Sequence, residues 1–261
     1  MSNIDKAFSG GKAFIAFLTG GDPSMESSRE FILRMARAGA DLIEIGVPFS
    51  DPIAEGPVIQ AANIRALGNG ASVEGLFALV KAVRLETDVP LVFLSYFNPV
   101  FRFGCERFFA RCKAVGVDGI IIPDLPFEEA DEVRPAARAN GVDVISLVAP
   151  TSQARIKEIA RNADGFLYIV SSLGVTGVRS EITTDVRGIV ETAKECAPAL
   201  PCAVGFGINT PAQAAEIARH ADGVIVGSAI VKIIAEHGAG AGERLSAYVR
   251  EMKAAIRQLA L

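Results

Sequence analysis

Histidine is scarce in this chain of 261 residues, which holds only His220 and His237. The four cysteines, Cys105, Cys112, Cys196 and Cys202, include no Cys-x-x-Cys pair, and neither histidine lies near Cys105 or Cys112 in the sequence. Zinc sites draw on closely spaced residues of these types, so the sequence argues against one. The same cysteine usage fits a reduced compartment. No stretch approaches the ~20 apolar residues of a membrane-spanning helix. Residues 1–6 lack an apolar run of signal-peptide length, and the expectation is a cytoplasmic protein. Positive charge is not clustered either. Lys and Arg number 26 against 30 Asp and Glu, with no basic run longer than a pair, which argues against a nucleic-acid surface. An anionic small molecule remains open, because backbone N–H groups at a helix start bind phosphate without net positive charge.

What the chain does have is apolar material. Half of it is hydrophobic and 21% is charged, enough to build a core and unlike a disordered sequence. Eight short, nearly all-apolar runs stand at 13–19, 41–47, 91–96, 119–122, 143–148, 165–170, 202–206 and 223–226. Parallel strands covered on both faces read this way. Helix-like stretches alternate with them, at 27–38, 72–86, 105–114, 128–139, 152–161, 184–196, 211–219 and 228–235. A common phrase, Gly then a small or β-branched residue then Asp, follows several helices, at 38–42, 115–119 and 140–144, with looser versions at 161–165 and 220–223. Its Gly is suited to a left-handed helix cap, and its recurrence marks a repeated βα unit. Eight such units predict an α/β fold, a single (β/α)8 barrel occupying residues 1–261 as one domain. Extra helices are expected after the second strand and over 242–261, and Pro135 is expected to start or kink its helix.

In such a barrel the site lies at the carboxyl ends of the strands. Glu44 stands in the apolar run Leu42-Ile-Glu-Ile-Gly46, on the same strand face as residues 42 and 46. An ionised carboxylate buried there needs a partner or a raised pKa. It is therefore either a structural Glu paired with a Lys or Arg, or a general acid/base. Glu55 lies in the long loop after the same strand, and could face the same cavity and divide the work with Glu44; Asp51 shares that loop. Around residues 222–232 a strand runs through Gly227-Ser228 into a helix, a phosphate cradle of the kind found after the last strands of these barrels. Gly207 offers a second close approach of backbone. The loop 171–184 is long enough to be a substrate lid. His220, at a helix end, and His237, in a late loop, read as surface residues.

Residues 44–60, Glu-Ile-Gly-Val-Pro-Phe-Ser-Asp-Pro-Ile-Ala-Glu-Gly-Pro-Val-Ile-Gln, resemble the signature segment of tryptophan synthase α subunits. So do the segments at 17–23, 96–100, 123–129, 174–177, 205–208 and 227–232, in order across nearly the whole chain. The resemblance implies cleavage of indole-3-glycerol phosphate to indole and glyceraldehyde 3-phosphate. It places the two catalytic carboxylates on Glu44 and Glu55, the second being Asp in the best-known members. It places phosphate contacts on Gly177, Gly207, Gly227 and Ser228, and apolar indole contacts on Phe17, Ile59, Leu94 and Phe206. Tyr168 would lie near the glycerol end, and Thr176 would be the lid residue. It implies no metal or organic cofactor in this chain, and a pyridoxal-phosphate β subunit as partner in an α2β2 heterotetramer that receives the indole. Two rivals stand beside it: another phosphate-binding barrel, such as a flavin-dependent oxidoreductase, and a subunit that keeps the fold only to activate or cap a β partner.

Overall fold

The computed structural model describes residues 3–150, 152–170, 185–205 and 207–257. Eight parallel strands close into a barrel in sequence order: β1 Ala13–Thr19, β2 Leu42–Gly46, β3 Leu91–Leu94, β4 Gly119–Ile121, β5 Asp143–Val148, β6 Leu167–Val170, β7 Cys202–Gly205 and β8 Gly223–Val226. The last strand pairs back onto the first, Ile225 opposite Ile15. This is the (β/α)8 barrel that the sequence predicts.

Side chains alternate along each strand. Ile15, Leu42, Val92, Ile121, Ile145, Tyr168, Ala203 and Ile225 fill the barrel interior. Their neighbours point outward against the helices, where Phe93 meets the rings of Phe77 and Phe108 at 5.7 and 6.3 Å. A short helix, Asp5–Ser9, lies under the amino-terminal mouth of the barrel. Ile4 and Ala7 join the interior cluster, and the Phe8 ring sits 5.7 Å from Phe166. A ligand therefore approaches from the opposite end, where the strands finish.

The recurring Asp has a physical role at the lower end. Asp41 accepts the N–H of Phe14 at 2.6 Å and pairs with Lys253 at 2.5 Å. Asp118 accepts the N–H of Leu91 at 2.7 Å and pairs with Arg84 at 2.5 Å. Asp222 accepts the N–H of Cys202 at 2.8 Å and pairs with Lys194 at 2.8 Å. Each caps the start of the preceding strand and is neutralised by a helix cation, so the phrase serves stability at the face away from the site. The Gly that opens it is left-handed at Gly116, with φ 88° and ψ 37°.

The helix expected after the second strand is Pro57–Gly68. The carboxyl-terminal helix is Gly242–Arg257 over the described residues. The stretch expected as one helix over 128–139 is a 3-10 turn, Phe127–Glu132, followed by a helix, Arg134–Ala139. Pro135 sits in the first turn of that helix and so starts it, because the missing N–H is unneeded there. A seven-residue helix, Phe97–Phe103, is absent from the sequence expectations. It leaves β3 almost at once and carries Pro99 in its first turn, where proline is tolerated. Among the described residues no helix is long and apolar enough to cross a membrane.

Candidate active site

A pocket opens at the carboxyl ends of the strands. It is lined by Phe17, Glu44, Glu55, Ile59, Leu94, Tyr168, Gly207, Gly227 and Ser228, all singled out from the sequence. These come from six strands or the segments that follow them, and alternation explains why. Phe17 stands beside Glu44 in the β1–β2 register, and both project inward.

The walls are aromatic and apolar because the strand ends are small. A Cβ on Gly46 would lie 2.8 Å from the Phe17 ring, and one on Gly205 would lie 2.4 Å from the Tyr168 hydroxyl. Glycine at those two positions leaves the volume that the rings occupy. Phe17 then packs with Ile59, Ala62 and Val231, joining β1 to the helices that follow β2 and β8.

Glu44 is 1% exposed. Among the described residues neither of its carboxyl oxygens has a hydrogen-bond partner. This removes the alternative of a structural ion pair. Burial without compensation raises its pKa from the ordinary 4.5 to about 8. Its side chain is therefore largely protonated at neutral pH and can both give and take a proton. Tyr168, buried beside it, has its pKa raised by burial and by the charge that Glu44 carries when ionised.

Glu55 is also buried, but it is held. The Tyr96 hydroxyl donates to its Oε2 in a short hydrogen bond, and its backbone carbonyl accepts from Gln60 Nε2 at 2.7 Å. Burial raises its pKa, the Tyr96 hydrogen bond opposes that rise, and Asp124 adds to it. The two carboxyls thus face one pocket in different environments, which is how a pair of like groups divides acid and base roles.

At the other end, Gly227 precedes the helix Ser228–His237. The first N–H groups of a helix lack partners within it and favour an anion. Gly207, with φ 86°, adopts a backbone conformation that suits glycine and lies on the same wall. The pocket therefore offers an apolar slot, two carboxyls and, at its far end, a helix start.

Thr176, Gly177 and Phe206 lie outside the described residues, as does the expected lid at 171–184. Sequence reasoning missed Ala54, Pro123, Leu147, Ile208 and Ile225, which also line the pocket. Leu147 and Ile225 were accessible to it, being inward residues near strand ends. Tyr96 was not, because its role depends on a loop folding back onto it. His237 ends a helix instead of lying in a loop, and neither histidine lines this pocket. Among the described residues no group of three His, Cys, Asp or Glu side chains is placed to hold a metal ion.

Comparison with known proteins agrees with this geometry. The profile of the tryptophan synthase alpha chain family matches residues 5–257. A tryptophan synthase alpha chain of Lactiplantibacillus plantarum is 48% identical over 257 residues, covering 98% of this chain and 97% of its own length. The crystal structure of the tryptophan synthase alpha chain of Legionella pneumophila superimposes with a TM-score of 0.88 at 34% identity, covering 98% of this chain and 97% of that one. A chain from a structure concerned with mutual activation of the tryptophan synthase a2b2 complex of Pyrococcus furiosus superimposes with a TM-score of 0.83 at 38% identity, covering 94% and 99%. By sequence and by fold, the chain belongs to the tryptophan synthase alpha chain family.

Proposed function

We propose that this chain, acting as one barrel domain, cleaves indole-3-glycerol phosphate to indole and glyceraldehyde 3-phosphate, and passes the indole to a β subunit that makes L-tryptophan. The observation that carries this reading is the buried Glu44, whose carboxyl has no hydrogen-bond partner among the described residues, in an apolar pocket that also holds Glu55 and a helix start. The indole ring fits the slot formed by Phe17, Ile59 and Leu94, and the phosphate fits the N–H groups at Gly227 and Ser228. Tyr168 stands by the glycerol chain.

The chemistry follows from the protonation states. Protonated Glu44 delivers its proton to indole C3, and the ring becomes an indolenine whose positive charge Glu55 stabilises at the ring N–H. The Glu44 carboxylate then takes the proton of the C3′ hydroxyl. The C3–C3′ bond breaks, its electrons return to the ring, and an aldehyde and indole result. Glu44 ends protonated, as it began. The indolenine is the electron sink, so the step needs no cofactor; pyridoxal phosphate belongs to the β subunit. The setting is the cytoplasm, and the assembly is an α2β2 heterotetramer.

The test is release of indole from indole-3-glycerol phosphate, measured with and without β subunit. Release that is faster with the partner is expected. No release in either condition overturns the reading and favours a subunit that only caps its partner. A yellow, flavin-containing protein would favour the oxidoreductase reading.

A further inference from the structure

We infer that Tyr96 is a positioning residue of the lyase reaction, whose hydroxyl fixes both the Glu55 carboxylate and the backbone of the loop that carries it. The inference deepens the lyase reading and rests on it.

Tyr96 is 2% exposed and stands two residues beyond the end of β3. Its hydroxyl oxygen accepts the N–H of Ile53 at 3.0 Å and the N–H of Ala54 at 2.8 Å. Its proton goes to Glu55 Oε2. A phenol has one proton and two acceptor sites. With both acceptor sites filled by backbone N–H groups, the proton has one direction left, and Glu55 lies in it. The hydroxyl therefore orients the carboxylate and is not free to turn away. Phe49, from the first part of the same loop, stacks on the Tyr96 ring with centroids 5.1 Å apart and planes at 30°. Both arms of the 47–56 loop thus meet on one side chain. The next residue is tied as well, since the N–H of Phe97 donates to Asp124 Oδ1 at 2.8 Å. The hydrogen bond from Tyr96 is made to Oε2.

The length of the side chain at position 55 matters here. An aspartate carboxylate would lie one C–C bond, roughly 1.5 Å, closer to its backbone, drawing it away from this hydroxyl. Glu55 and Tyr96 are in this sense matched.

Burial, then Asp124 from the segment after β4, raise the pKa of Glu55, while the Tyr96 hydroxyl and the residue's own backbone N–H lower it; Glu44 faces it across the pocket and Asp51 shares its loop. Tyr96 is the one side chain among these that favours the ionised form. Removing its hydroxyl must raise the pKa of Glu55 and move the acidic limb of kcat/KM to higher pH.

The experiment compares wild type, Tyr96→Phe, Glu55→Asp and the double variant. Indole release is measured across pH in the presence of β subunit, and the Glu55 carboxyl is titrated by 13C NMR. Tyr96→Phe is expected to lower kcat by ~10–100-fold, the scale of a hydrogen bond to a charged group, with KM changed less than about 3-fold. It is expected to raise the Glu55 pKa. On the Glu55→Asp background the same substitution should cost less than about 3-fold, because the hydrogen bond is already gone. An equal loss on both backgrounds, or a Glu55 titration that Tyr96→Phe does not move, overturns the proposal. The NMR readout needs no turnover. A Glu55 pKa that rises in a protein with no indole release sinks the lyase reading and leaves the hydrogen bond established.

Discussion

Glu44 and Glu55 face the same pocket, yet among the described residues only Glu55 receives a hydrogen bond on its carboxylate. On the proposed lyase reading, the carboxyl without a partner is the one that exchanges a proton, and the held one faces the ring N–H. Glu44→Gln keeps the shape and removes the exchangeable proton. It is expected to lower turnover at least ~100-fold, the usual scale for a general acid/base. Indole release near the wild-type rate by a folded Glu44→Gln protein would defeat the assignment.

The same residue sets a pH dependence of stability. Its folded pKa, about 8, lies above its ordinary 4.5. The folded state therefore holds a proton that the unfolded state has lost between these values. Stability from this group is full below about pH 4.5, falls as pH rises through the window, and reaches its minimum above about 8. At ~1.4 kcal/mol per tenfold change in ionisation, the cost is on the order of a few kcal/mol. Glu44→Gln is expected to remove it, so the variant should gain Tm over wild type at pH 9 and gain little at pH 5. Thermal unfolding at the two pH values is the check, and an equal change at both would show that Glu44 is not buried uncharged.

At the phosphate end, Ser228→Ala should weaken binding of glycerol 3-phosphate by roughly 3- to 10-fold, the worth of about one hydrogen bond. Gly227→Val should do more. A Cβ at that position already stands 3.2 Å from the Phe17 ring, and the methyls beyond it have nowhere to go without moving ring or ligand. Overpacking of this kind costs about 1–3 kcal/mol, so a loss of ~10–100-fold is expected. Calorimetric titration of both variants decides it. Unchanged affinity in a folded Gly227→Val protein would place the phosphate elsewhere.

Most of the barrel can be read from sequence because its signals are local. Eight apolar runs and the recurring Gly–Asp phrase give the strand count, and the structure shows what the Asp of that phrase does, as at Asp118 against Leu91 and Arg84. Glu44 is legible for the same reason, as a charge alone in an apolar strand. The Phe97–Phe103 helix is not legible, since Asn98-Pro99 reads as a turn until a helix forms around it. The hold of Tyr96 on Glu55 is not legible either, because 41 residues separate them and no periodicity links a loop to the strand end it folds onto.

The loop between β2 and the Pro57–Gly68 helix carries both Asp51 and Glu55. In the structure Glu55 already faces the pocket, pinned by Tyr96, while the outer edge of the loop is open. Asp51 is exposed, its Oδ2 accepting from Ser50 Oγ at 2.5 Å, and Ile53 is 73% exposed. Ile53 is also one of the two residues whose N–H groups rest on Tyr96. A β subunit that covers this edge therefore presses on the backbone that positions Glu55, and docking couples to catalysis without carrying the residue in from outside. The isolated chain should be slow and the complex much faster. Asp51 touches neither carboxyl, so Asp51→Ala should leave the low basal rate nearly intact. It should raise the concentration of β subunit needed for half-activation by roughly 5- to 10-fold, the order of about 1 kcal/mol from one rim contact. Titrating β subunit against wild type and Asp51→Ala while following indole release separates the outcomes. If the isolated chain already matches the complex, the loop needs no partner. If Asp51→Ala abolishes the basal rate as well, Asp51 belongs with the reacting groups and not with the docking edge.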